Sequence, residues 1–380
     1  MQINSKLPQV GATIFSVMSA LANEHGAINL SQGFPNFDCA EELKSLVAQY
    51  MSEGHNQYAP MTGLPALRYQ ISQKFNRLYG IHIDSDKEIT MTAGATQALF
   101  TAITTFVKAG DEVILIEPAY DSYRPAIEVN GGHPVSYELN APDYQIDWQR
   151  LRRLVTAKTR MIIINTPQNP IGKVWKEHDF KELEKLVQGT DMLVLSDEVY
   201  EHLVFDGLKH HTVLSFPNLR ERSIATYSFG KTFHVTGWKM GYCVAAPNLM
   251  KEFRKVHQYQ IFSVNTPIQH ALAAFLEKPE EYLGLASFFQ NKRDLLLNLL
   301  KDSRLMPIHS EGTYFQLVDY SRISSEPDTE FAKRMTVEYG VASIPVSVFY
   351  SSKKDDKVIR LCFAKTEGLL EQAGHLLQKI

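Results

Sequence analysis

The stretch that decides the fold is Tyr227–Gly241, which reads YSFGKTFHVTGWKMG. It begins at the end of the run SIATYS, whose composition favours a β-strand. Lys231 follows this run closely, and a lysine at the end of a central strand can act as a Schiff-base amine. Lys239 comes eight residues later, so two cations lie among hydroxyls and glycines, which suits a bound phosphate. A surface turn with two solvated lysines would have the same letters, so other residues must decide.

Short apolar runs alternate with helical segments after Asp84. The predicted strands are EITMT, EVILIEP, MIIINTP, MLVLSDE, SIATYS and YCVAAP. Strands that are apolar on both faces are typical of a mainly parallel sheet with helices on each side. The sequence therefore predicts a large α/β domain.

The chain changes character after a mostly helical segment, 267–300. The strand TYFQLVDY, a helix over 329–339, the run VASIPVSVFY, the strand VIRLCFA and a last helix from Glu367 predict a smaller α+β domain. We expect the amino-terminal segment to pack on this domain and make it discontinuous. The predicted boundaries give residues 1–45 and 279–380 to the smaller domain and residues 46–278 to the larger one.

Composition limits the classes of function. A length of 380 residues exceeds what one hydrophobic core usually supports. A net charge of -3 without long charged runs gives no footprint for nucleic acid or for an anionic membrane surface. No apolar stretch approaches about eighteen residues, and the amino terminus has no secretory pattern.

Cysteine and histidine spacing points to neither disulfides nor a metal. The three cysteines, Cys39, Cys243 and Cys362, are far apart and lie in or beside apolar runs, so they are expected to be reduced core thiols. The histidines form no HxxH or HExxH set, and no metal site is predicted. We expect a cytoplasmic protein that acts on small molecules.

The residues that follow the predicted strands form one set, because ligands bind at the carboxyl ends of parallel strands. Asn169 lies in the proline-fixed run NTPQNP, and Asp197 and Tyr200 follow the apolar run MLVL. A buried carboxylate such as that of Asp197 needs a cation. With Lys231, these residues suit a pyridinium aldehyde phosphate: the aspartate pairs with the ring nitrogen, the amide and phenol contact the ring oxygen, and the lysine bonds to the aldehyde.

The small-residue turn Ala93–Thr96 opens the helix after the first predicted strand. Free N–H groups and the positive dipole end of such a helix can hold a phosphate. An ordinary tight strand-to-helix turn accounts for this piece equally well. A dinucleotide site does not fit, because the turn lacks the GxGxxG spacing.

Six motifs in chain order resemble those of the class I pyridoxal-phosphate aminotransferases of fold type I. They are INLSQGFPNF, NQYAPMTG, NTPQNP, SDEVYEHL, SFGKTFHVTGWKMGY and IRLCFAK, and they cover nearly the whole chain. Within the family the sequence is most similar to the kynurenine, glutamine and methionine aminotransferase branch. The resemblance implies pyridoxal 5'-phosphate as cofactor, a large domain with a mainly parallel seven-stranded sheet, and a smaller discontinuous α+β domain.

The resemblance also implies roles for individual residues. Lys231 would be the Schiff-base lysine and proton carrier, and Asp197 would pair with the pyridine nitrogen. Asn169 and Tyr200 would bind the ring oxygen. The remaining cofactor contacts would be the phosphate ligands Ala95, Thr96, Ser228 and Lys239, the ring-stacking Tyr120, and Tyr58, which would reach the phosphate of the neighbouring subunit of a homodimer.

Two positions depart from the wider family. Gly230 stands where many members have serine directly before the lysine, and Lys239 stands where many have arginine. Both departures are shared by the favoured branch. Lysine neutralises a phosphate but cannot make the bidentate guanidinium contact, so cofactor retention is expected to differ.

The α-carboxylate of an amino-acid substrate would be bound by Arg360, which lies in the apolar strand VIRLCFA. A salt-bridged core arginine is the structural alternative for this residue. Gly33 is expected to let its backbone approach the same carboxylate.

Substrate choice follows from the segments that the resemblance assigns to the side-chain pocket. These are ATIFSVM, EPAYDSY, YQIFSVN and EGTYF, which contain no arginine for a second carboxylate. They offer Phe15, Tyr120, Phe262 and Tyr314 instead. Aromatic walls and thioethers make favourable contacts, so methionine, aromatic amino acids or glutamine should donate the amino group to a 2-oxo acid better than aspartate does.

Two alternatives stay open. A cysteine-conjugate β-lyase would use the same residues, because the sequence defines the carbanion better than its fate. A ligand sensor that retains the fold without catalysis is the alternative from another class, and the presence of Lys231, Asp197 and Asn169 argues against it.

Overall fold

A computed structural model describes residues 3–380 of the chain. The strands are Ile28–Asn29 (β1), Ile89–Thr92 (β2), Glu112–Glu117 (β3), His133–Glu138 (β4), Thr159–Asn165 (β5), Leu193–Asp197 (β6), Ser223–Ser228 (β7), Gly241–Ala245 (β8), Met306–Ile308 (β9), Phe315–Asp319 (β10), Val341–Ala342 (β11), Ile344–Pro345 (β12) and Val358–Cys362 (β13).

Helices cover the sheets and connect the strands. They are Ile14–Glu24 (α1), Glu41–Ser52 (α2), Pro65–Tyr79 (α3), Gly94–Phe106 (α4), Tyr123–Val129 (α5), Trp148–Arg152 (α6), Glu177–Val187 (α7), Pro217–Arg220 (α8), Phe229–Thr232 (α9), Pro247–Gln260 (α10), Thr266–Phe275 (α11), Glu280–Leu283 (α12), Leu285–Leu300 (α13), Asp328–Tyr339 (α14) and Glu367–Leu377 (α15). Short 3₁₀ turns span Val213–Ser215, Thr236–Trp238 and Val346–Phe349.

The central sheet has seven strands in the order β2-β8-β7-β6-β5-β3-β4. Strand β8 runs antiparallel to its neighbours β2 and β7, and the other pairs are parallel. The predicted α/β class and the mainly parallel seven-stranded sheet are therefore confirmed. The edge strand β4 was not among the strands predicted from apolar runs, because four of its six residues are only half-buried and its first residue is exposed.

The core of this sheet lies on both of its faces. In β5, Ile162 and Ile164 pack in one apolar cluster, whereas Met161 and Ile163 pack in another. Successive side chains of a strand point to opposite faces, so a strand covered by helices on both sides must be apolar throughout. This is the physical reason that the run MIIIN predicts a central strand.

The amino-terminal segment joins the carboxy-terminal part of the chain, as predicted. Strand β1 pairs in parallel with β11, with Ile28 opposite Val341. A second sheet of four antiparallel strands has the order β12-β13-β10-β9. The domain boundaries at residues 45 and 278 stay predictions.

The segment 267–300 is mostly helical, as predicted, and is divided among α11, α12 and α13. Helices α12 and α13 meet at Gly284. The three cysteines are buried and unpaired. None of the helices within residues 3–380 combines the length and apolar character that a membrane span requires.

Candidate active site

A cavity of about 310 Å³ lies at the carboxyl edge of the central sheet, between that sheet and the segments from the two ends of the chain. It is lined by all of the residues that the sequence singled out for the site except Tyr58, Phe262 and Tyr314. Those lining residues are Phe15, Gly33, Ala95, Thr96, Tyr120, Asn169, Asp197, Tyr200, Ser228, Lys231, Lys239 and Arg360.

Strand register brings the sheet residues together. Asn165 at the end of β5 is paired with Asp197 at the end of β6, and its amide donates to the Asp197 carbonyl at 2.8 Å. The Asn165 side-chain oxygen accepts from the backbone N–H of Asn169 at 2.7 Å. Asn165 thus fixes the turn that presents Asn169. It lines the cavity as well, although the sequence argument assigned it no role.

Asp197 is buried, and no lysine, arginine or histidine within residues 3–380 forms an ion pair with its carboxylate. Tyr123 donates a hydrogen bond to Asp197 Oδ2 at 2.6 Å, and the Val199 N–H lies 3.4 Å from Oδ1. Burial raises the pKa of Asp197 to about 6, whereas the bond from Tyr123 opposes this rise. Tyr123 was missed by the sequence argument. Its only sequence signal was its place in EPAYDSY, three residues after Tyr120.

Lys231 lies in the short helix α9 directly after β7. Its Nζ donates to the hydroxyl of Tyr314 at 2.8 Å and to the carbonyl of Gly33 at 3.3 Å. Burial lowers the pKa of Lys231 to about 8, and the nearby positive charges of Arg360 and Lys239 act in the same direction. The amine therefore has an unusually large neutral fraction at physiological pH.

Lys239 and helix α4 form a cradle. Lys239 adopts a left-handed backbone conformation, with φ of 54°, and its Nζ lies 3.5 Å from the place where a Cβ on Gly94 would be. Gly241 lets β8 approach the helix, because a Cβ there would lie 2.9 Å from the Ala95 nitrogen. Ser228 lies opposite Gly241 in the sheet. A cation, a hydroxyl and a helix N-terminus thus converge, which is a favourable arrangement for a phosphate.

Arg360 is fully buried in β13. Its Nη1 donates to Asn169 Oδ1 at 2.8 Å and its Nη2 to the Ser31 carbonyl at 3.1 Å. The guanidinium carbon lies 3.8 Å from the centre of the Phe315 ring. Within the described residues the buried Nε has no hydrogen-bond partner. Burial lowers the pKa of Arg360 to about 10, so the group stays cationic and has an unused donor.

Close packing explains why glycine occupies positions 33 and 230 of the site. A Cβ on Gly33 would lie 2.7 Å from the Phe315 ring, and a Cβ on Gly230 would lie 2.9 Å from the Thr236 Cα. The departure from serine at position 230 therefore agrees with the tight turn that follows Lys231. Phe315 lines the cavity and was not assigned a role from sequence.

The four aromatic residues predicted for the side-chain pocket divide into two pairs. Phe15 and Tyr120 line the cavity. Tyr314 lies behind it, with its hydroxyl on Lys231. Phe262 is 48% exposed and is not among the residues that line the cavity. Tyr58, the remaining predicted site residue, is 81% exposed and makes an edge contact with Phe262, with ring centres 5.2 Å apart.

Comparison with known proteins identifies the family. Residues 25–377 match the family model described as aminotransferase class I and II. The chain belongs to this family. It is therefore an aminotransferase, as the resemblance of its motifs implied.

Individual relatives are similar along almost their entire length. The methionine aminotransferase of Escherichia coli is 53% identical over 377 residues, covering 99% of this chain and 98% of that protein. The kynurenine–oxoglutarate transaminase of Dictyostelium discoideum is 36% identical, with 97% and 94% covered. A solved E. coli structure described as having a methionine aminotransferase function matches with a TM-score of 0.98 and 52% identity, covering 100% of both chains.

Proposed function

We propose that this aminotransferase moves the α-amino group of a neutral amino acid, with methionine foremost, to a 2-oxo acid, using pyridoxal 5'-phosphate bound in the cavity. The similarity to methionine aminotransferase supports the donor, and the residues of the cavity support the cofactor. The observation that carries the proposal is the convergence of Lys231, Asp197 and Arg360 on one enclosed volume.

The cavity fits pyridoxal phosphate at three points. The cradle of Lys239, Ser228 and the amino end of α4 would hold the phosphate. Asp197 is a buried carboxylate with a pKa raised to about 6 and no cation bonded to it, as expected of a group that pairs with a protonated ring nitrogen. Lys231 is an amine with a lowered pKa, as expected of a group that bonds to an aldehyde.

Three further residues would position the ring. The Asn169 amide oxygen accepts from Arg360, which leaves its nitrogen to donate to the ring oxygen. The Tyr200 ring is held edge-on against Tyr314, with centres 5.1 Å apart, so its phenol is fixed for the same oxygen. Tyr120 would stack on the ring.

When bound, pyridoxal 5'-phosphate supplies an aldehyde that links to amino groups and a cationic ring that takes up electrons. Lys231 Nζ would then take the proton from the substrate Cα and deliver it to the cofactor carbon that is bonded to the same nitrogen. Burial lowers the pKa of the free amine to about 8, which enlarges the neutral fraction that can accept a proton near neutral pH. Asp197 keeps the ring nitrogen protonated throughout.

Arg360 would bind the α-carboxylate of the donor and of the 2-oxo acid. Its guanidinium is fixed by Asn169, Ser31 and the Phe315 ring, and Nη1 and Nη2 each use one of their two N–H groups on these partners, which leaves donors for an anion. A preorganised charge-assisted bond of this kind orients the Cα–H bond without further loss of entropy.

The side-chain end of the cavity favours a neutral donor. Its lining includes Phe15, Tyr120 and Phe315, and Arg360 is the one arginine among the lining residues described. A donor with a second carboxylate would bury that charge without a cation, which is costly. A thioether makes favourable contacts with aromatic ring edges.

A donor series tests the proposal. We expect kcat/KM with one common 2-oxo acid to be at least about tenfold higher for methionine, phenylalanine, tyrosine or glutamine than for aspartate. Aspartate as the best donor would overturn the assignment. Pyruvate release from a cysteine S-conjugate, measured beside amino transfer, tells a β-lyase from a transaminase.

We also propose a homodimer with shared active sites. Tyr58, Tyr259 and Phe262 are large aromatic side chains with exposures of 81%, 87% and 48%, and such exposure is typical of a protein contact. Tyr58 would then reach the partner's phosphate cradle. Sedimentation velocity over a dilution series, with activity measured on the same samples, should give an active dimer; a fully active monomer would contradict the proposal. The cytoplasmic location stays a prediction.

A further inference from the structure

We propose that Tyr314 is a positioning residue that holds the Lys231 amine whenever this amine is not bonded to the cofactor. The inference rests on the proposed function, because only in that function does Lys231 alternate between a bonded and a free amine. It goes beyond the aromatic lining role that the sequence suggested for Tyr314.

The contacts form a closed triangle of polar atoms. The Tyr314 hydroxyl donates to the Gly33 carbonyl at 2.5 Å. Lys231 Nζ donates to the same hydroxyl oxygen at 2.8 Å and to the Gly33 carbonyl at 3.3 Å. Because the only hydrogen of the phenol is given to Gly33, its oxygen is left as an acceptor for the amine.

The fold presents Tyr314 from a rigid turn. Thr313 has a φ of 69°, a conformation that a β-branched residue rarely adopts, and its N–H donates to the Leu203 carbonyl at 3.0 Å. Gly312 packs so closely that a Cβ there would lie 2.7 Å from the same carbonyl. The turn is therefore clamped to the loop after β6, and Tyr314 itself is fully buried.

An acceptor oxygen and a carbonyl favour the charged form of a lysine. They oppose the burial that lowers the Lys231 pKa. The other groups that face the amine or act on its charge are Asp197, Tyr200, Lys239, Arg360 and Cys362. Only Tyr314 and Gly33 hydrogen-bond to Nζ among the described residues, so the hydroxyl is the side chain best placed to retain the proton.

This arrangement has a consequence for turnover. Each time the substrate amine takes the place of Lys231, the Tyr314 hydroxyl, which lies 2.8 Å from Nζ in the structure, offers the released amine a fixed hydrogen-bond partner before and after it transfers the proton. The rotamer freedom that a free lysine would regain is thereby limited, and the return of the amine needs little reorganisation.

The test uses the full chain freed of cofactor. Competitive labelling with acetic anhydride, followed by mass spectrometry of the Lys231 peptide over a pH series, gives the pKa of this amine. In Tyr314→Phe we expect that pKa to fall by about one unit, since a hydrogen bond to a charged group is lost while the ring and its burial remain.

Tyr320→Phe is the matched control. Tyr320 is also fully buried and lies directly after β10, as Tyr314 lies directly before it. Its hydroxyl donates to the Glu326 carbonyl at 2.8 Å. Its loss should leave the Lys231 titration unchanged. An unchanged Lys231 pKa in folded Tyr314→Phe, or an equal fall in Tyr320→Phe, would overturn the proposal.

A fluorinated tyrosine at position 314 serves if the phenylalanine variant does not fold. It preserves the ring and the hydroxyl but weakens the oxygen as an acceptor, so a smaller fall of the same sign is expected; no fall would again refute the role. The titration needs neither cofactor nor substrate. A protein that fails to transaminate would thus refute the proposed function without changing this result.

Discussion

The cavity has two walls that are built in different ways. The sheet wall consists of Asn169, Asp197, Ser228 and Lys231, which follow or end the neighbouring parallel strands β5, β6 and β7 of the central sheet. The terminal wall consists of Phe15, Gly33, Phe315 and Arg360, which come from the two ends of the chain. Asn169 and Arg360 join the walls through a 2.8 Å hydrogen bond between residues 191 positions apart.

The sheet wall and the terminal wall therefore have different roles. The sheet wall is fixed by strand register, such as the pairing of Asn165 with Asp197, and its groups suit the cofactor. The terminal wall depends on contacts between distant segments, such as the Phe315 ring under both Gly33 and Arg360, and its groups suit the substrate. Variants of the sheet wall should change chemistry and cofactor attachment, whereas variants of the terminal wall should change donor affinity and choice.

The largest effect is expected for Lys231→Ala. Loss of the amine should lower kcat by several orders of magnitude and abolish the borohydride-fixed attachment of the cofactor to the chain, with folding and phosphate binding largely retained. Mass spectrometry after reduction checks the attachment. Lys239→Ala is the matched control, since it removes the other cavity lysine and should weaken cofactor retention without preventing attachment. Near-normal turnover in Lys231→Ala would refute the assignment.

Asp197→Asn should reduce kcat by about a hundredfold or more, because the amide cannot keep the ring nitrogen protonated. The same change should stabilise the cofactor-free protein at pH 7.5 by up to about 3 kcal/mol, since an isolated buried carboxylate is removed.

The pH dependence gives the sign of this stability change. The pKa of Asp197 is raised from 3.8 to about 6 in the folded protein, so the ionised group lowers stability above pH 6, and this cost disappears below pH 3.8. Denaturant unfolding of both proteins at pH 7.5 and near pH 4 measures it. A variant that is less stable at both pH values would mean that the carboxylate has a cationic partner.

Arg360→Lys should lower kcat/KM for methionine by about 10- to 100-fold, mainly through KM, because the planar donor fork and its stacking on Phe315 are lost. The absorption spectrum of the bound cofactor should not change. Arg334→Lys is the control, because it alters an arginine of helix α14 that pairs with Glu326, outside the cavity lining. A lost cofactor spectrum with an unchanged KM would break the division between the two walls.

Phe15→Ala should reduce kcat/KM for methionine by about fivefold and for alanine by less than about twofold, because only the longer side chain reaches this ring. Alanine as donor is the internal control. The Phe15 ring lies 5.4 Å from the Arg360 guanidinium, so equal losses for both donors would place Phe15 in carboxylate binding instead.

The smallest effect is expected for Tyr123→Phe. Loss of the 2.6 Å bond should raise the pKa of Asp197 above about 6 by up to about one unit, with a modest change in kcat. The measurement is an infrared difference spectrum, over a pH series, between cofactor-free Tyr123→Phe and the double variant that also carries Asp197→Asn. The difference isolates the carboxyl band of Asp197. Tyr137→Phe, whose hydroxyl bonds to the Asp147 backbone, should leave the titration unaltered. An unchanged midpoint in Tyr123→Phe would show that burial alone sets this pKa.

The sequence by itself determined the sheet wall. Strands that are buried on both faces must be apolar throughout, so the runs before Asn169, Asp197 and Lys231 mark central strands, and parallel strands bring their carboxyl ends to one edge. The same reasoning did not predict strand β4, because its mixed polar and apolar pattern is shared by many loops and edge strands.

Only the tertiary structure decided how the two walls meet. Tyr123, Tyr314 and Phe315 contact Asp197, Lys231 and Arg360 because segments far apart in the chain pack against one another. The direction of a buried side chain depends on that packing and on its rotamer, neither of which is encoded in local spacing. The sequence could therefore predict which groups perform the chemistry, whereas the residues that hold those groups in place became visible only in the folded chain.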